Sequence, residues 1–410
     1  MAFQQGLSGL NAASKALDVI SNNVSNASNV GFKQSGTQFS DVYAAALNGA
    51  AAGVQVGIGT SIGAVAQMFS QGNITPTNNP LDVAINGNGF YRMNNGGTVA
   101  YTRNGQFDLD KNGFIVNAQG YRLTGYPADA QGNILPASPT DITIDTADLL
   151  PQESSDVRMG LNLDSRMTAP TLPFDPADAT TYNSSTSLTL YDSLGNSHIM
   201  TMYFRKVGAG QWDMHSQLDG GATSLVGASP TLSFNTAGQL TTAMPMNITG
   251  LAVTTGAASP IGGAAGIELN FNGSTQYGSA FGVNRQIQDG YASGRLSGIT
   301  VSEDGTIQGR YSNGQARNLG QVVLANFASP NGLISLGGNF WAESPASGQP
   351  LIGAPGSGSL GLLAAGSVEE SNVDLTAELV NMITAQRNYQ ANAQSVRTQD
   401  QLMQTLVNLR

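Results

Sequence analysis

After Gly366 the chain runs to Arg410 without another Gly or Pro. In that stretch Leu375, Leu379, Met382, Tyr389, Ala393, Val396, Met403 and Val407 recur at spacings near three and four, and Leu402, Leu406 and Leu409 widen the stripe at its end. This pattern predicts one long amphipathic helix with a coiled-coil seam. Ser371, Asn372 and Asp374 can each cap its start, and Glu378 stands where the helix dipole favours an anion. At 1.5 Å per residue the helix spans about 50 Å. Isolated helices are marginal in water, so its stripe needs a partner.

The other end of the chain supplies one. Phe3, Leu7, Leu10, Leu17 and Val24 follow the same alternation, flanked by Ala13 and Ile20, while Ser14 and Ser21 thin the seam. The expectation is a terminal helical core made of residues 1–28 and 367–410, packed in turn against the cores of other copies. A two-helix cap on a monomer is the plainer alternative. The predicted self-assembly core is Phe3, Leu7, Leu10, Leu17, Val24, Leu375, Leu379, Met382, Tyr389, Val396, Met403 and Leu406.

Between the ends the periodicity changes from helical to alternating. Residues 29–71, rich in Ala, Gly and Ser, show no single period and read as an extended connector with short turns and room for a hairpin; Gly31 is the expected helix stop. From Gly72 the text is β. Leu81, Val83 and Ile85 alternate, and Phe107 and Leu109 lead through Asp110-Lys111-Asn112-Gly113 into Phe114, Ile115 and Val116, a hairpin pattern. Pro136, Pro139 and Pro151 mark a boundary. Residues 151–284 form a second β unit. Leu188 to Tyr191, Ile199 to Tyr203, Trp212 to His215 and Leu232 to Phe234 are its strands, spaced as in a sandwich or barrel. Strand signals of the first unit resume in 285–360. The predicted fold class is therefore α+β multidomain: a coiled-coil-like core of terminal helices and two nested all-β domains. The inner domain is discontinuous, 72–150 with 285–360, and the outer one, 151–284, is inserted in it.

Composition narrows the function. Charged residues are 11% of the 410, against roughly 25% in ordinary soluble proteins. A surface this poor in charge repels its own copies weakly and suits close subunit packing. With 17 Lys and Arg against 27 Asp and Glu, and no basic cluster, nucleic acid is not an expected partner. Residues 42–81 carry no charge, but Gly, Asn and Gln break them into short apolar pieces, so no membrane insertion is expected. No basic and apolar leader opens the chain, so no cleaved signal peptide is expected.

Enzyme chemistry finds little support. Cysteine is absent, which removes thiolate sites, and His198 and His215 are the only histidines, too few for a triad or a zinc site without improvisation. Both read as ordinary sheet or surface residues. Asp108 to Gly113 opens like a calcium loop, but the twelfth position is Gln119 and the flanks read as strands. Glu303-Asp304 and Glu369-Glu370 read as solvated turns or helix starts. No catalytic residue, metal or cofactor is expected.

Several blocks carry a resemblance. Leu7 to Ala13, Leu17 to Asn26 and Val30-Gly31-Phe32-Lys33 resemble the N-terminal signature of the bacterial flagellar rod and hook protein family. Ser371 to Leu375 and Glu378 to Gln390 resemble its C-terminal signature, and Leu81 to Tyr91 with Tyr101 to Phe107 resemble a third shared block. The match covers about the first 125 residues and the last 90, and the length is similar to that of the hook members. The resemblance implies a structural subunit, not an enzyme, that self-assembles into a curved helical tube acting as a universal joint between motor and filament. It implies as partners other copies, the rod, hook cap and hook-filament junction proteins, and the type III export machinery. It implies an extracellular place in the flagellum. A distal rod subunit is the alternative; a secreted β-rich binding module or glycan-acting enzyme is a more distant one.

Overall fold

The computed structural model describes residues 2–42, 57, 59–220 and 231–408. The chain divides into two compact units, one of residues 1–146, 298–310 and 316–410, the other of residues 147–297 and 311–315.

The first unit holds both long helices, α1 (Ala2–Ser25) and α2 (Leu375–Asn408). Each is shorter than its predicted segment. The turn at 26–31 takes residues from the first. In the second, Ser367–Glu369 is a strand paired with Ile74–Pro76. Helix α2 starts only after Asp374, whose Oδ1 accepts the amides of Thr376 and Ala377 at 2.8 and 3.2 Å. That cap satisfies two of the helix's otherwise orphaned donors.

The stretch expected as a connector contains a long antiparallel pair, β1 (Ser35–Val42) with β2 (Gly59–Gln67). The rest of its span lies largely outside the described residues. In the β body of this unit, Arg122–Pro127, Phe90–Asn95, Thr98–Thr102, Phe340–Ala342 and Ile334–Gly337 are neighbours in that order. Its core gathers Phe90, Tyr101, Phe327 and Trp341. Their rings meet edge to face, Tyr101 on Phe327 at 4.8 Å and Phe90 on Trp341 at 5.6 Å, the arrangement that aligns ring edges with ring faces.

The second unit is a pair of sheets around one core. Ser184–Tyr191, Ser197–Gly208, Gln211–Leu218 and Thr231–Ser233 form an antiparallel meander. Asp156–Asn162 is flanked by Ile267–Asn270 and Gly282–Gln288 in the other sheet. Met200, Met202 and Phe204 are fully buried, while Ile199 just before them is exposed, as the two-residue period of a strand predicts. Leu161, Trp212, Leu269 and Phe271 complete the shared core. Because Gly282–Gln288 pairs with Asp156–Asn162, residues 285–297 belong here and not to the first unit, where the sequence pattern had placed them.

One turn recurs in both units. Asp110, Asn117, Asp129, Asp192 and Asn235 each begin an Asx-x-x-Gly turn in which Oδ1 accepts the amides two and four residues on. At Asp110 this explains the calcium-like spelling: the carboxylate oxygen is already taken by Asn112 and Phe114 amides. Among the described residues no helix is long and apolar enough to cross a membrane.

Candidate assembly core

Helices α1 and α2 lie antiparallel. Gly6 faces Val396, Gly9 faces Asn392 and, at the far end, the Asn23 amide reaches Glu378 at 3.4 Å. The contact is made by small side chains. A Cβ on Gly6 would stand 2.8 Å from Val396 Cγ2, and one on Gly9 2.7 Å from Asn392 Oδ1. Ala12, Ala13 and Ala385 are buried. Gly6, Gly9, Ala13 and Asn23 share one helical face.

Most of the large apolar residues lie beside that face; Val396, which meets Gly6, is on it. In the single chain Phe3, Leu7, Leu375, Leu379 and Met403 are about half exposed, between 46 and 62%. Leu10, Leu17, Val24, Met382 and Val396 are half-buried, Tyr389 is exposed, and the Leu406 side chain lies outside the described residues. Val380, Ile383 and Leu402, which the predicted stripe did not feature at its centre, are exposed too. On α1 the expected stripe is thus rotated by about one residue from the face that joins the two helices, while on α2 the two overlap at Val396. Counting large apolar positions missed the Gly and Ala that let the backbones approach.

Where the helices meet the β body, a buried polar cluster holds the chain ends in place. Glu369, expected to be solvated, is fully buried. Its Oε1 lies 2.6 Å from Lys33 Nζ and accepts the Gly72 amide at 2.9 Å; its Oε2 accepts Arg103 Nε at 2.9 Å. Arg103 Nη1 also donates to the carbonyls of Gly87 and Gly89 at 2.8 and 2.7 Å, and Lys33 Nζ to that of Ser70 at 2.7 Å. Burial pushes the Lys33 ammonium below its ordinary value, opposed by Glu369.

Amide side chains extend the cluster. Asn23, buried, gives Nδ2 to the Ser35 carbonyl at 2.8 Å and takes the Ser35 amide on Oδ1 at 3.0 Å, as a strand partner would. Gln34 Nε2 donates to Glu378 Oε1 at 2.7 Å, and Asn372 Oδ1 accepts the Gln34 amide at 2.8 Å. Glu378 lies in the first turn of α2, as its reading as a dipole partner expects, and is also buried against these groups. The sequence signal was present: Asn23, Lys33, Arg103 and Asn372 all lie inside the shared blocks. Their charge and polarity, in a pattern read for apolar periodicity, gave them no role.

Gly31 closes the corner. It sits at φ +71°, and its amide donates to the Glu369 carbonyl at 2.8 Å. A Cβ there would stand 2.6 Å from the Asn104 backbone nitrogen. Gly31→Ala combines a left-handed backbone with a backbone clash, and we expect it to destabilise the first unit by about 2 kcal/mol or more. Chemical denaturation of the full chain measures this.

The comparisons with known proteins fit these elements in order. Residues 3–33 match the model of the flagellar basal body rod protein family. Residues 84–157 match the flagellar hook protein FlgE/F/G D1 domain, 162–291 the flagellar basal body protein FlaE D2 domain, and 364–409 the flagellar basal body rod FlgEFG protein C-terminal model. Over full length the chain is 44% identical to the flagellar hook protein FlgE of Escherichia coli, covering all of both chains. It is 34% identical to that of Brucella suis, covering all of this chain and 98% of the relative. The crystal structure of Helicobacter pylori flagellar hook protein FlgE2 shares the fold at a TM-score of 0.52 and 14% identity, over 72% of this chain and 99% of that one.

Proposed function

The chain belongs to the flagellar hook protein family, and from that premise we propose that it is the structural subunit of the bacterial flagellar hook, polymerising with copies of itself. The observation that carries the mechanism is the division of labour on the terminal helices. Their small faces join α1 to α2 within one chain, and their large apolar faces stay half exposed. Apolar surface left in water costs about 25 cal/mol per Å² relative to burial. A second copy presenting the same stripe is the partner that removes it. We assign the self-assembly core to Phe3, Leu7, Leu10, Leu17, Val24, Leu375, Leu379, Met382, Tyr389, Val396, Met403 and Leu406, packed between copies in coiled-coil fashion.

On this reading the helices line a curved helical tube, which transmits motor torque as a universal joint. The second unit is an outer domain inserted in an inner one. Its own two ends lie side by side, with the Leu149 amide 2.7 Å from the Gly294 carbonyl, as an inserted domain requires. The low charge of the chain leaves few long-range pairs to lock one register as subunits slide. The rod, hook cap and hook-filament junction proteins are the proposed neighbours. The proposed route is type III export to an extracellular place in the flagellum.

Deleting residues 375–410 is expected to leave both β bodies folded and to abolish tubes. The cut falls after Glu369 and the strand Ser367–Glu369, so the Lys33–Glu369–Arg103 ions are kept, although Glu378 and its bonds to Asn23 and Gln34 leave with the helix; a cut at 367 would remove both. Negative-stain microscopy and sedimentation of concentrated protein make the test. Tubes from the truncated chain would overturn the assignment.

A further inference from the structure

His198 lies on the strand Ser197–Gly208 of the second unit and is buried. Both its ring nitrogens face carboxylates: Nδ1 is 2.6 Å from Asp219 Oδ2 and Nε2 is 3.1 Å from Asp192 Oδ2. A neutral imidazole has one N–H and one lone pair, so one of these contacts would set a lone pair against a carboxylate. Only the doubly protonated ring satisfies both. We propose that His198 is a protonation-controlled clamp that closes one end of the second unit by bridging Asp192 and Asp219.

The clamp ties three segments. Asp192 begins the turn between Ser184–Tyr191 and Ser197–Gly208, where its Oδ1 accepts the Leu194 and Asn196 amides. Its Oδ2 also accepts the Thr255 hydroxyl at 2.7 Å, bringing in the stretch 249–260, which carries no charged residue. Asp219 follows Gln211–Leu218 at φ +51°, a left-handed conformation that an L residue holds only with support, and its Oδ1 accepts the Ile199 amide at 2.8 Å. Across the sheet His198 pairs with Leu190, which brings no charge. Asp192 and Asp219 are thus the charged groups that touch the ring among the described residues.

The direction follows from linkage. Burial lowers the affinity of His198 for its proton, but the hydrogen bonds and charges of Asp219 and Asp192 outweigh it, and the net effect is upward. A raised histidine stabilises the fold fully below its unfolded value near 6.5, and that contribution is lost as pH rises through the folded value. His215 moves the other way, lowered first by burial. The chain has only these two histidines, so their titrations should separate to either side of about 6.5.

Side-chain nitrogen NMR of the full-length chain, kept monomeric at low concentration, reads both titrations. The expected result is one imidazole titrating above the free value with both nitrogens protonated across neutral pH, and one below it. Asp219→Asn should lower the upper titration by about one pH unit or more and leave the lower one in place. Amide protection factors at Leu194, Asn196 and Ile199 should fall as pH rises through the upper titration. Two wild-type titrations at or below the free value would overturn the clamp, whatever the variant does. So would an upper titration that Asp219→Asn does not move, or protection that stays flat through it.

Discussion

Replacing Glu369 by Gln should unfold the junction of the terminal helices with the β body. In the native chain one carboxylate answers two cations, Lys33 and Arg103, with none of the three side chains more than 5% exposed. Removing the anion leaves both cations buried, and breaking such a pair costs about 3–5 kcal/mol. Lys33 offers partial relief, because it can shed its proton. Burial already lowers its value, and losing Glu369 removes the main opposing influence. A lysine lowered in the fold binds fewer protons there than in the unfolded chain, so stability rises with pH between the folded value and about 10.5. In Glu369→Gln that window opens at lower pH than in the wild type. Denaturant titrations of the full chain at several pH values test both statements. The neighbouring exposed Glu370→Gln should stay within about 0.5 kcal/mol of wild type. If the two variants proved equally mild, Glu369 would not hold the junction.

The same cluster shows where sequence reading succeeds and where it stops. Apolar periodicity found both helices, because Leu375, Leu379, Leu7 and Leu10 repeat at a helical spacing whatever they touch. Alternation found the meander of the second unit, because Met200, Met202 and Phe204 must point one way and Ile199 the other. Partner choice is not written in that pattern. On α1 two stripes run about one residue apart, and the small one meets α2 because glycine at positions 6 and 9 lets the backbones close. Nor does local pattern reveal that Glu369, next to the exposed Glu370, is buried. Its burial comes from Lys33 and Arg103, hundreds of residues away in sequence. The second unit starts at Ala147, close to the gathered prolines. It was misread at its end, since Gly282–Gln288 resembles any alternating strand until its pairing with Asp156–Asn162 is known.

Leu379→Asp should abolish tube formation without unfolding the subunit. Leu379 is 50% exposed on α2 in the single chain, so a carboxylate there remains solvated in the monomer and the fold is retained. Assembly changes its surroundings. Burying the exposed half of this Leu at an interface is worth roughly half of the 1.5–3 kcal/mol of a full burial, and the variant both forfeits that and must desolvate a charge with no counter-ion provided for it. Every subunit in the polymer carries the same defect, so even the smaller figure multiplies along the tube and shifts the equilibrium toward free protein. Leu10→Asp, half-buried on α1, should block assembly as well, with a measurable loss of monomer stability that Leu379→Asp lacks. A charge at Asn381 is the control. Its amide lies 3.4 Å from Glu378 Oε1, away from the large stripe, so Asn381→Lys meets an anion already in place and should assemble nearly as wild type. Sedimentation of the three variants at matched concentration, with circular dichroism to confirm the helices, separates these outcomes. If Leu379→Asp pelleted normally, the large apolar face of α2 would not be the surface between copies, and the small face within the chain would be left as the only role of the helix pair.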